Sequence, residues 1–119
     1  VVTGRLVCGA ALAAWLAWGA AACAPEPVEP IRTEGRLMTV TNTSHDVWLN
    51  VEIWLNDHYR VTKSRMPPGE RLGIPLDAFV AGFGQRFNAA RQVVQGIEVT
   101  ATTPGGLPVR LVWGRGRRR

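Results

Sequence analysis

The sequence predicts a small antiparallel β-sandwich or barrel. Val47, Leu49, Val51, Ile53 and Leu55 are all apolar and lie two apart. That period sets one row of side chains on one face of a strand. Five further short runs of strand formers stand at roughly ten-residue spacing along residues 36–113, the rhythm of an all-β domain. Between the runs lie Pro, Gly, Asn and Asp, which supply the backbone angles that turns require.

The first run is residues 36–42, Arg-Leu-Met-Thr-Val-Thr-Asn. A polar turn follows at Asn42-Thr43-Ser44-His45-Asp46. The alternating run then puts Trp48, Asn50, Glu52, Trp54 and Asn56 on the face opposite the five aliphatic residues. Asn56-Asp57-His58 offers turn chemistry, because Asn and Asp tolerate positive φ. Tyr59, Val61 and Lys63 then alternate with Arg60 and Thr62, so residues 47–64 read as a hairpin. Pro67-Pro68-Gly69 turns the chain into a short strand from Arg71 to Leu76, where Pro75 marks an edge or an end. From Asp77 to Gly96 the pattern is weaker. Phe79, Phe83 and Phe87 are expected to plug the open end of the core, and Asn88 and Gly96 to bound a short helix. Ile97, Val99 and Ala101 form another half-buried strand, Pro104-Gly105-Gly106 turns it, and Val109, Leu111 and Trp113 alternate once more.

The N-terminal part has a different character. Arg5 precedes residues 6–22, an uncharged apolar run closed by Ala20, Ala21 and Ala22. A positive start, an apolar helical middle and a small-residue end are the layout of an export signal. The run is slightly short for a spanning helix. Cys8 lies inside it, so after cleavage Cys23 is the one remaining cysteine. An unpaired cysteine in an exported chain needs a reason. Ala20-Ala21-Ala22-Cys23 resembles the lipobox of bacterial lipoproteins, with alanine where that motif usually has an aliphatic residue at its first position. The resemblance implies a diacylglyceryl group on the Cys23 sulfur and cleavage just before it. More than one acyl chain is needed for a firm anchor. Ala22-Cys23-Ala24 also has the form of an ordinary cleavage site, but Pro25 directly after that cut disfavours it. The expected organisation is a signal at 1–22, a lipidated cysteine and Pro-rich linker at 23–35, a β-domain at 36–114 and a basic tail at 115–119. Prolines 25, 27 and 30 stiffen the linker into a spacer.

The net charge of +5 belongs to the ends of the chain. Arg5 leaves with the signal, and Arg115, Arg117, Arg118 and Arg119 form the tail. Without these five, basic and acidic residues balance at nine each. A uniformly basic domain would suggest a nucleic-acid partner, and a neutral domain with a basic tail does not. The tail suits anionic lipid or polysaccharide, or simply water.

Val40-Thr41-Asn42-Thr43-Ser44, Asn50-Val51 and Pro68-Gly69-Glu70 before a strand resemble immunoglobulin-like β-sandwich modules of exported bacterial proteins. Trp48, Tyr59, Ile74-Pro75-Leu76, Phe79 and Arg86-Phe87 extend the likeness to small bacterial lipoproteins. The resemblance covers about residues 36–102. It implies a fold and carries no reaction.

The residues themselves offer little chemistry. His45 and His58 stand at opposite ends of one strand, about 30 Å apart, too far to share a metal. Neither Gly82-Phe83-Gly84 nor Gly105-Gly106 leads into the Lys-Ser/Thr and helix of a phosphate loop. The expectation is a module without catalysis or cofactor, held to a membrane through its lipid. Its partner is an envelope protein or glycan, and nucleic acid is not among the partners. An accessory or inhibitor-like domain acting on an envelope enzyme is the alternative. Trp48 and Trp54, six apart on the polar face, are the expected partner contacts, because tryptophan anchors concentrate at such surfaces.

Overall fold

The computed structural model describes residues 27–115. The apolar segment, Cys23 and residues 116–119 lie outside them. Seven strands run in chain order: β1 Ile31–Glu34, β2 Leu37–Thr41, β3 Trp48–Leu55, β4 Tyr59–Met66, β5 Arg71–Pro75, β6 Gly96–Thr102 and β7 Pro108–Gly114. They build two antiparallel sheets, ordered β1-β2-β5 and β4-β3-β6-β7. The protein is thus all-β and sandwich-like. Its core is drawn from both sheets: Ile31, Met38, Val40 and Ile74 from one, Val51, Ile53, Leu55, Ile97 and Val99 from the other.

β1 corrects the expected linker boundary. It occupies Ile31–Glu34, where the spacer was expected to continue to residue 35. Ile31 is buried and pairs with Val40, so the folded unit begins directly after Pro30.

The hairpin of β3 and β4 stands where the alternation placed it. Asn56 and Asp57 adopt φ of 49° and 66°, the left-handed angles that the Asn-Asp pair tolerates. The alternation itself breaks inside β3. Asn50 also takes a positive φ, 53°. Leu49 faces Thr102 whereas Glu52 faces Thr100, so β3 spends one residue more than β6 over this stretch. Such a bulge moves every side chain beyond it to the other face. Val51, Ile53 and Leu55 point inward as expected, but before the bulge the inward residue is Trp48, 2% exposed. The outward orientation expected for Trp48 is therefore corrected: its indole is part of the core. Leu49 is half-buried instead.

The segment between β5 and β6 holds no α-helix. Leu76–Ala78 make a single 3₁₀ turn. Asn88 organises one further turn, its carbonyl accepting from the Arg91 and Gln92 amides and its Oδ1 from the Ala90 amide at 3.1 Å. Phe79 and Phe87 close the core as expected, whereas Phe83 is wholly exposed. Val80 and Arg86 pair across a short ribbon. The Ala81 amide donates to Gln85 and the Gly84 amide to Ala81. Gly84, at φ 82°, takes an angle that few side chains permit, so this tight turn holds Phe83 away from the body.

Asn42 ties the other end together. It is fully buried. Its Nδ2 donates to the carbonyls of Asp46 and Met66, each at 2.9 Å, and its Oδ1 accepts from the Ser44 amide and hydroxyl at 3.0 and 2.6 Å. Its own amide donates to Glu70, and its carbonyl accepts from Gly69. One side chain thus joins the β2–β3 connection to the end of β4.

Candidate functional site

The outer face of the four-stranded sheet carries the most organised group of polar and aromatic side chains. The pairing register sets Arg60, Trp54, Glu98 and Val112 side by side across β4, β3, β6 and β7. The neighbouring row is Thr62, Glu52, Thr100 and Arg110. Alternation within each strand puts both rows on the face away from the core.

Trp54 is half-buried at the centre. The Arg60 guanidinium lies over its ring, 5.3 Å from the centroid, within the range of a cation–π contact. Arg60 also reaches Glu52, with Nη1 to Oε1 at 3.7 Å. Both side chains are about half exposed, so this ion pair fixes direction more than it adds stability.

Glu98 is the unusual member. It is 1% exposed on an outward face. Its Oε2 accepts from Arg110 Nε at 3.1 Å and Nη2 at 3.0 Å. A buried carboxylate is costly unless such partners compensate it. Trp54 and Val112 flank it on the adjacent strands. Arg110 keeps about half its surface open, so the fork that holds Glu98 also faces outward. Beside this group, Asn50, Glu52, Arg60, Thr62 and Ser64 line a shallow groove at the β3 bulge. The face therefore combines a flat indole, two oriented guanidiniums and several hydroxyls, which suits contact with a polar surface.

Of the sequence-expected contacts, Trp54 stands on this face and Trp48 does not. Cys23 lies outside the described residues. His45 and His58 are both exposed and sit before β3 and after it. Among the described residues no group of three or more His, Cys, Asp or Glu could hold a metal. Sequence reasoning missed Glu98 and Arg110. Their signal was present: two opposite charges in facing strands, each between apolar residues that point the other way.

No protein-family model matches the chain, and no curated protein or solved structure is significantly similar to it. Sheet order and burial define the class to which it belongs, a small all-β protein of two antiparallel sheets.

Proposed function

We propose that this chain is a lipid-anchored binding module of the cell envelope, without catalysis, that contacts an envelope protein through the outer face around Trp54. The observation that carries the reading is the Trp54–Arg60 stack beside the Glu98–Arg110 pair. It presents aromatic and guanidinium groups already fixed in place, the residue types enriched at binding hot spots, with little side-chain entropy left to lose on association. Three strands facing four, with β4 and β5 on different sheets, support an immunoglobulin-like module, an architecture common among surface proteins. The Ala20-Ala21-Ala22-Cys23 run and the prolines before β1 support the anchor and spacer.

Site-specific photo-crosslinking in intact cells tests the surface. A crosslinker at Thr62, beside Trp54, should give one discrete adduct, and Trp54→Ala should reduce its yield about tenfold. A crosslinker at Arg71, on the other sheet, should give none. Equal adducts from both positions would remove the assignment. A glycan partner would show instead as retention of the protein on isolated cell wall that Trp54→Ala abolishes.

The anchor is tested separately. Cys23→Ala should move the protein from the detergent phase to the aqueous phase or leave it unprocessed, and intact mass should show acylation in the wild type alone. An unmodified mature wild-type chain would end the lipoprotein reading.

A further inference from the structure

The outer strands of the two sheets differ in how far they are closed to a further strand. β1 is only four residues long. β5 contains Gly73 and ends on Pro75, residues that weaken strand pairing. β4 pairs with Val80 at Arg60, and Lys63 stands opposite Val51 in its core-side row. β7 runs for seven residues, Pro108–Gly114, at the outer end of the four-stranded sheet. Its core-side row is Val109, Leu111 and Trp113, all apolar and packed against the core. That row carries no inward charge of the kind that blunts an edge.

The phase of the hydrogen bonds along β7 identifies its open backbone groups. The Arg115 amide donates to the Gln95 carbonyl, and the Thr103 amide donates to the Leu107 carbonyl. Both bonds continue the β6–β7 ladder, in which Gly96 faces Gly114 and Thr102 faces Pro108. Bonded and non-bonded pairs alternate along an antiparallel ladder. Leu107, Val109, Leu111, Trp113 and Arg115 therefore turn their backbone groups to β6. Pro108, Arg110, Val112 and Gly114 turn theirs to the free side, where no strand pairs with β7 among the described residues. A groove between the two sheets runs beside this edge. Glu29, Pro30 and Ile31 line one wall and Leu111, Val112 and Trp113 the other.

From this juxtaposition we infer that β7 is a dimerisation strand: a second copy of this chain lays its own β7 antiparallel along it, joining the two four-stranded sheets into one. The strand is complementary to itself, as a twofold interface must be. A register centred on Leu111 pairs β7 along its whole length. It sets Arg110 opposite Val112 of the second copy in both directions, and each such pair exchanges two backbone bonds. The Gly114 amide meets the Pro108 carbonyl, which leaves Pro108, without an amide, at the end of the pairing. No charge stands directly opposite a like charge, and each Arg110 is already bonded to Glu98 of its own sheet. On the core side Leu111 meets Leu111 on the axis and Val109 meets Trp113, so the incoming apolar row closes over the groove beside Ile31. A single strand pair is a small interface, so the dimer dissociates on dilution. The inference rests neither on the Cys23 anchor nor on the Trp54 surface.

The test uses the full chain with Leu111→Cys. The two cysteines face each other across a non-bonded pair, with Cα atoms about 4.5 Å apart, within reach of a disulfide. Mild oxidation should then give a covalent dimer on a non-reducing gel. Thr62→Cys, on β4, should give none above the unsubstituted chain, which sets the background from Cys8 and Cys23. Adding Val112→Pro removes an amide that points to the free side and leaves the β6 ladder intact. It should lower the dimer yield about tenfold with an unchanged circular-dichroism spectrum. Val112→Lys keeps the amide and sets a cation opposite Arg110 of the second copy, and it should lower the yield as well. Equal dimer from Leu111→Cys and Thr62→Cys would overturn the inference. So would a yield that neither Val112 variant reduces, or a disulfide from Leu111→Cys to a different protein in place of the second copy.

Discussion

Phe87→Ala should lower the unfolding free energy by about 3–5 kcal/mol, whereas Phe83→Ala, four residues earlier, should change it by less than about 0.5 kcal/mol. Phe87 is 1% exposed and meets Tyr59 edge-to-face, with ring centroids 5.2 Å apart. Its amide donates to the Phe79 carbonyl, so the ring is fixed between the end of the core and the 76–95 segment. Truncation leaves a cavity that Leu76 and Phe79, both anchored elsewhere, can fill only in part. A domain of this size holds a stability of roughly 5–10 kcal/mol, and no disulfide is available to it. The loss is therefore a large fraction of the whole. Urea melts of the two Phe→Ala variants measure it. A Phe83→Ala loss as large as that of Phe87→Ala would show that the exposed turn packs on the body.

Asn42→Ala should cost about 2–4 kcal/mol, close to the largest core truncations although it removes a polar side chain. The substitution leaves the Met66 carbonyl without its 2.9 Å donor in a buried position and frees the Ser44 amide and hydroxyl. Asn42→Asp tests the chemistry more closely. It keeps the acceptor for Ser44, removes the donor to Met66 and Asp46, and places a carboxylate where no water reaches. It should destabilise at least as much as alanine. If either variant melts within a degree of the wild type, Asn42 is not the tie between β2 and β4.

These two residues also show where the sequence was readable. Strands with steady alternation, β6 above all, were legible because both faces keep one register from end to end. β3 was legible only from Val51 onward. Period-two reading assumes a single register, and the one hint of the left-handed angle that turns Trp48 inward is that Asn50 is a residue type able to adopt it. β1 escaped notice because four residues directly after three prolines are too short a run to show a period. Phe79, Phe83 and Phe87 recur every four residues, so spacing alone treats them alike. The glycines around Phe83 were the distinguishing signal. Asn42 read as an ordinary turn residue, since burial depends on Met66 and Glu70, more than twenty positions away. On the candidate site, Trp54 was legible from alternation, whereas the shielding of Glu98 depends on neighbours from two other strands.

The seam between the sheets has a consequence for crowding. β4 is the outermost strand of its sheet; Val80 pairs with it at Arg60, and beyond that Lys63 faces Val51 across the β3 pair, so its stem lies on the core side. Its ammonium reaches Glu70 beside β5 at 3.4 Å. A strand from a second molecule laid along β4 would have to bury that ammonium or tear it from its carboxylate. Inward-pointing charge on an edge is one means by which sheets resist adding strands from other chains. Where these domains are crowded together, the Lys63 charge works against neighbours zipping into a continuous ribbon.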